Sequence, residues 1–318
     1  MQKEKLRLFG DTMGLSPFPL RFKQALVAIR GEEDVPRSKF NMSFVKQLYP
    51  KISPKLWKGK PYLEKTVIIS NLYNHLQTPI ENGWSVKKSQ MLDFRGKQLT
   101  YDSHNGTDFA IPIHSTVCTA APGEVVAVLS EFNRGGLKTF VDHGNGLMTG
   151  YAHLAKSLVK VGDVLKRAQP IAISGYSGID ALVTFPLGIP HVHFNAWLNG
   201  ESIDPFAHNG KESLWKNGAL PAAAENLEEF DFTPSAYNEA IVLELVALCK
   251  TPSARERIAN KEILKDKAAH LIIEMNYYPT RFDTRRNVYD KEYPRQPLLD
   301  LPFKAEDFEK VVFLDDIL

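Results

Sequence analysis

"HVHFNAWL", residues 191–198, decides how the rest of the chain is read. The segment is rich in β-branched and aromatic residues and reads as a strand, in which residues i and i+2 point to one face. His191 and His193 therefore stand side by side while Val192 turns away. Core packing and simple hydration give no reason to pair two imidazoles. The question passes to which groups elsewhere in the chain could meet them.

Around this strand, from about Leu99 to Pro205, short β-branched runs ("TVCTA", "GEVVAVL", "LKTFVDH", "QPIAISG") alternate with glycine-bearing turns at "APGE", "HGNG", "KVGD" and "SGYSG". Close strands separated by turn signals predict a compact antiparallel β domain over residues 96–209. Residues 1–95 mix apolar pieces with prolines and lysines. Only "KTVIISN", residues 65–71, reads there as a strand, so this part is expected to be a loop-rich accessory segment without legible chemistry. Residues 210–318 are expected to be mainly helical. Thr233 and Pro234 predict the cap and first turn of a helix through "SAYNEAIVLELVALCK". Ser253 and Glu256 form a capping box ahead of "RIANKEILKDKAAHLIIEMN", whose stripe of Ile258, Leu264, Leu271, Ile272 and Met275 is expected to pack on the core. The fold class expected is α+β.

The 318 residues are 43% hydrophobic and 24% charged with a formal net charge of +2, which fits an ordinary globular chain and does not point to nucleic acid. Two distant cysteines, Cys118 and Cys249, make neither a disulfide framework nor a thiolate metal site. The opening "MQKEKLRLFGDTMGLSPFPLRF" shows no apolar core or cleavage site of a signal peptide. "AIVLELVALC", residues 240–249, is interrupted by Glu244 and is about half a membrane span. The expectation is a soluble chain, cytoplasmic by sequence, with no transmembrane segment.

Two further stretches carry partners for the histidine pair. In "SHNGTDFAIP", residues 103–112, the turn dipeptide Asn105-Gly106 predicts a bend that folds His104 and Asp108 toward each other. "TGYAHLAKSL", residues 149–158, places His153 at the end of a strand. His104, Asp108, His153, His191 and His193 are thus candidates for one cluster. Two imidazoles and one carboxylate suit a catalytic zinc, filling three tetrahedral positions and leaving one for water, whereas structural zinc favours cysteine, which this region does not offer. Histidines left over can move protons.

In order, "HNGTD", "PGEVVAV", "VDHGNGLMTGYAHL", "VKVGDVL", "AISGYSG" and "PHVHF…NGESIDP" resemble the catalytic domain of the lysostaphin-type (LytM-like) zinc metallopeptidases, which cut peptide bonds in bacterial peptidoglycan. The resemblance covers residues 99–206. It implies a small β-sandwich-like sheet domain with a groove, one zinc ion per chain held by His104, Asp108 and His193, and His153 and His191 as the catalytic pair that does not bind metal. It also implies peptidoglycan peptides as substrate and action in the cell envelope or outside the cell. Two other functions stand beside this one. Some family members have lost ligands and act as regulators of cell-wall amidases, although all five expected residues are present here. The missing signal peptide leaves an intracellular peptidase with another substrate. Two departures bear on shape: His114 stands where the family commonly has a turn glycine, and "IDALVTFPL", residues 179–187, lengthens the connection before the histidine pair. That insertion is expected either to wall the groove or to pack against the C-terminal helices. His75, His208 and His270 have no motif partner, and His143 reads as a turn residue.

Overall fold

In a computed structural model of the chain, which describes residues 2–32, 34–39, 42–80, 83–85, 88–225 and 232–318, the HVH strand lies inside an eleven-stranded sheet. In chain order the strands are β1 Ser38–Lys39, β2 Thr66–Asn71, β3 Trp84–Ser85, β4 Thr107–Ala110, β5 Thr116–Cys118, β6 Gly123–Glu131, β7 Gly136–Asp142, β8 Leu147–Ser157, β9 Val164–Leu165, β10 Pro170–Ser174, β11 His191–Leu198, β12 Glu201–Ile203 and β13 Lys310–Phe313. The helices are α1 Gln2–Met13, α2 Phe18–Arg30, α3 Ser53–Leu56, α4 Ile179–Thr184, α5 Glu239–Ala247, α6 Pro252–Ala259 and α7 Leu264–Tyr277. The sheet runs β13-β2-β4-β11-β8-β7-β6-β9, with β10 joining β8 to β5 and β12 hairpinned onto β11. Its pairings are antiparallel except for the parallel pair β13 and β2. The α+β class expected from the sequence is the class observed.

The sheet is buried on both faces, which is why its strands read as nearly continuous apolar runs. One face carries Val67, Ile69, Phe109, Val141, Tyr151 and Phe194 against Trp215 and Phe303 from the C-terminal third. The other face presents Val126, Phe140, Met148 and Trp197 to the stripe of α5, α6 and α7, where Ile258, Leu271, Ile272 and Met275 are buried and Leu264 is partly so. The stripe packs on the sheet as its spacing predicts.

Several local expectations are corrected. The sheet crosses both expected boundaries: β2 comes from residues 1–95 and β13 from residues 210–318. Two helices, α1 and α2, open a segment that read as loops. The helix expected from Thr233 starts at Glu239, because Asn238 caps it through Oδ1 to the Ile241 amide at 3.1 Å. The residues before it are held extended, with Ser235 donating to Asp142 and Tyr237 donating to the other oxygen of the same carboxylate. Thr251, not Ser253, stands at the N-cap of α6, and its hydroxyl donates to Asp34 rather than capping. The single helix expected through "RIANKEILKDKAAHLIIEMN" is two, parted between Asn260 and Ile263. Outside Glu239–Tyr277 the described part of residues 210–318 is mostly loops and short elements.

Because Ile69 of β2 is fully buried in the core shared by all three segments, Ile69→Ala should lower the unfolding free energy by about 2–5 kcal/mol. Urea unfolding followed by circular dichroism and by tryptophan fluorescence should remain one transition. A separate early transition would show that the N-terminal strand folds apart from the sheet.

Candidate metal centre

Three adjacent strands bring the first group of candidates together. Asp108 on β4 pairs with His193 on β11 on one side and with Asn71 on β2 on the other. A register shift in β2 between Ile69 and Asn71 aims Asn71 at the site, and its Nδ2 donates to Asp108 Oδ2 at 3.0 Å. His104 arrives through the turn ahead of β4, as Asn105-Gly106 predicts. Gly106 is required there by close approach: a Cβ would lie 2.6 Å from the Phe194 carbonyl oxygen and 2.8 Å from His193 Cε1.

His104 Nε2, Asp108 Oδ1 and His193 Nδ1 converge, at 3.0 Å from His104 to Asp108, 2.8 Å from His193 to Asp108 and 3.2 Å between the two nitrogens. Among the described residues this is the one group of three that could hold a metal ion. The other ring nitrogen of His104, Nδ1, is 2.6 Å from the Leu72 carbonyl oxygen. A carbonyl only accepts, so Nδ1 carries the proton and Nε2 turns a lone pair toward Asp108 and His193. His193 Nε2 accepts from Asn195 Nδ2 at 3.1 Å, so its Nδ1 proton bonds Asp108. The His104 lone pair and the carboxylate repel one another unless a positive centre lies between them. Burial alone would raise the Asp108 pKa. The surrounding imidazoles of His104, His191 and His193 outweigh it, holding the carboxyl well below its usual range. The donor set fits a small cation bound by nitrogen and oxygen.

His153 and His191 flank this triad. The HVH strand alternates as expected, with Val192 and Phe194 buried and both histidines partly open to the cleft. His191 Nδ1 donates to the Ile189 carbonyl at 2.8 Å, which leaves Nε2 facing Asp108 Oδ1 at 3.6 Å. His153 reaches the same space through a bulge: Leu137 and Thr139 of β7 oppose Leu154 and Tyr151 of β8, and His153 itself has φ +61°. A bulge re-aims a side chain that strict alternation would send elsewhere. His153 Nδ1 donates to the Ser177 carbonyl at 2.8 Å, and its ring centroid lies 4.9 Å from that of His191. Burial, reinforced by the charge of His191, pushes His153 down to about 3. It is therefore neutral near pH 7, with Nε2 able to accept a proton.

The cleft over these residues has two lobes that share Tyr101, His153 and Asp180. Ser38, Lys39 and Trp84 line one lobe and Phe44 and Tyr49 the other, so residues 1–95 supply a wall of the site. Asn71 and Leu72 also belong to that segment, and sequence reasoning missed them. Polar Asn71 at the end of an apolar strand was the available signal. The insertion 179–187 holds helix α4. Val183 and Thr184 line the cleft, while Phe185 packs edge-on against Trp57 with centroids 4.9 Å apart and also meets Phe9. These contacts are with N-terminal residues. His114 has φ +68°, the turn conformation that favours glycine, and its Nε2 meets the Thr12 hydroxyl at 2.8 Å. His75 and His208 are not solitary: their rings lie 3.6 Å apart, and His75 Nε2 is 2.7 Å from Asp204 Oδ2.

Residues 102–205 match the family model described as peptidase family M23. This stretch is a peptidase family M23 domain. The lysostaphin-type resemblance of the sequence holds for this stretch. Over 106 residues, 33% of this chain, it is 39% identical to the peptidoglycan DD-endopeptidase ShyA of Vibrio cholerae, of which the match covers 23%. Over 128 residues, 39% of this chain, it is 32% identical to lysostaphin of Staphylococcus simulans, of which it covers 24%. The M23 domain thus spans about a quarter of the length of these curated relatives. Among solved structures, the catalytic domain of lysostaphin from Staphylococcus simulans is 30% identical over 33% of this chain and 77% of that one, with a TM-score of 0.29.

His143 provides a contrast that can be measured. Both its nitrogens are engaged, Nδ1 with the Pro122 carbonyl and Nε2 with the Thr149 hydroxyl, each at 2.7 Å. Burial pushes it down from 6.5 to about 4. Between those values the unfolded chain binds the proton and the folded one does not, so its contribution to stability is intact above about pH 6.5 and is lost as pH falls toward 4. His143→Gln should flatten the stability curve over that window by on the order of 3 kcal/mol, read from urea midpoints at a series of pH values. An unchanged slope would mean that His143 is protonated in the fold.

Proposed function

We propose that the chain is a zinc metalloendopeptidase that hydrolyses peptide bonds in peptidoglycan cross-bridges or stem peptides, with His104, Asp108 and His193 as zinc ligands and His153 and His191 as the general acid–base pair. The observation that carries this reading is the convergence of three potential ligand atoms beside two histidines whose Nε2 atoms are left unbonded by their backbone anchors. The M23 match and the DD-endopeptidase relative support it. When bound, zinc supplies Lewis acidity that polarises a peptide carbonyl and acidifies water.

The chain's own residues do the rest. Asn71 holds Asp108 Oδ2, so that Oδ1 stays turned toward the ligand nitrogens. Leu72 fixes the His104 tautomer. His153 and His191, with Nδ1 anchored on backbone carbonyls, take the proton of the attacking water at Nε2 and deliver it to the nitrogen of the departing amine. The buried surroundings keep His153 neutral. A silent regulator of amidases would dispense with ligands, whereas all five groups stand here in one cleft.

The purified chain should carry about one zinc, and His104→Ala, Asp108→Ala or His193→Ala should greatly weaken its retention. Elemental analysis that finds His193→Ala fully loaded, with activity intact, refutes the ligand set. His153→Ala and His191→Ala should keep zinc yet lose about a hundredfold to ten-thousandfold in turnover. Loss of zinc from His191→Ala would instead exchange the roles of the HVH pair. Incubation of the zinc-loaded chain with peptidoglycans of several cross-link types, with mass spectrometry of the released fragments, tests the reaction itself. Intact peptidoglycan after zinc loading, together with stimulation of an added amidase, would favour the regulator.

A further inference from the structure

Arg134 lies in the turn between β6 and β7 and has no part in the chemistry above. Asn133, Arg134 and Gly135 line the same lobe of the cleft as His104, His153 and His193. The turn is held on both sides of Arg134's side chain. Its own carbonyl accepts from Lys138 Nζ at 2.7 Å, and Lys138 is fully buried and paired with Glu131 at 2.6 Å. The next carbonyl, of Gly135, accepts the His153 amide at 2.8 Å, so Arg134 is positioned directly from the backbone of a cleft histidine. Its guanidinium lies over the Trp84 ring. Nη2 is buried and has no hydrogen-bonding partner among the described residues.

A buried cationic donor without an acceptor is costly to leave unmade. A planar guanidinium presents paired N–H groups that match a carboxylate in two-point contact, and stacking on an indole engages its face and not those N–H groups. Apart from the histidines, the charged residues lining this lobe are Lys39, Arg134 and Asp180, which leaves one positive charge in excess. We propose that Arg134 binds a free carboxylate of the peptide substrate beside the scissile bond and selects such peptides over those amidated at that position. The proposal rests on the peptidase reading.

The test uses the full zinc-loaded chain and two cross-linked muropeptide dimers that are identical except that one has free carboxylates and the other carboxamides. The wild type should show at least tenfold higher kcat/KM on the carboxylate dimer. Arg134→Gln should remove that preference, losing tenfold or more on the carboxylate dimer and less than twofold on the carboxamide, with zinc content and melting temperature unchanged. Arg134→Lys, which keeps the charge without the planar fork, should recover part of the loss. A wild type indifferent to the carboxylate, or an equal loss on both dimers, overturns the proposal. Calorimetric binding of the same dimers separates it from the reading beneath it. Carboxylate-selective binding that depends on Arg134 but yields no cleavage would overturn the peptidase reading and keep the subsite; cleavage without carboxylate preference would do the reverse.

Discussion

A carboxylate with no solvent exposure is among the least comfortable groups a protein can hold, and the arrangement around Asp108 follows from keeping it ionised. Its two oxygens are treated differently. Oδ2 receives a neutral donor, Asn71, while Oδ1 faces the nitrogens of His104 and His193. That asymmetry requires three strands in fixed register, with β4 in the middle and β2 and β11 on either side. The chemistry of one side chain thus ties a strand from the first seventy-odd residues to a strand of the M23 domain. The accessory segment is structurally part of the site.

A second constraint separates the site histidines from the structural one. His104, His153 and His191 each give Nδ1 to a backbone carbonyl, of Leu72, Ser177 and Ile189. Backbone acceptors are rigid, so each ring is pinned in both tautomer and orientation with Nε2 turned inward. His143 has acceptors or donors at both ends and nothing left over. The difference lies in which hydrogen bonds are complete, and residue type alone does not reveal it.

What could be read in advance divides along the same line. The period-two pattern of residues 191–198 and the Asn105-Gly106 turn are local, and both led to the geometry observed. His153 was legible as a residue, but the bulge that aims it into the cleft depends on pairing with β7. Asn71 and Arg134 were illegible for a related reason. Asn71 matters only because β2 pairs with β4, and Arg134 only because Trp84, distant in sequence, lies against it. In the helical part, Thr233 satisfied a local capping rule, yet the hydrogen bonds of Ser235 and Tyr237 to Asp142 keep that stretch extended until Asn238. Tertiary bonds to a buried carboxylate outweighed a cap worth about 1 kcal/mol.

The pairing of β13 with β2 completes this logic. Without it β2 would be the sheet's edge, with a row of unpaired backbone groups and freedom to slip in register. A slip of one residue would turn Asn71 to the opposite face and strip Asp108 of its neutral donor. Lys310–Phe313 pairs in parallel with Thr66–Ile69, and Phe313 in turn meets the Phe94 ring and the Arg95 guanidinium. Arg95 is bound both to Asp93 and to Asp315, which fastens the loop before Tyr101 to the chain's last residues. The last strand therefore acts on the site at a distance: by fixing β2, it fixes the hydrogen bond that decides which oxygen of Asp108 faces the nitrogens of His104 and His193.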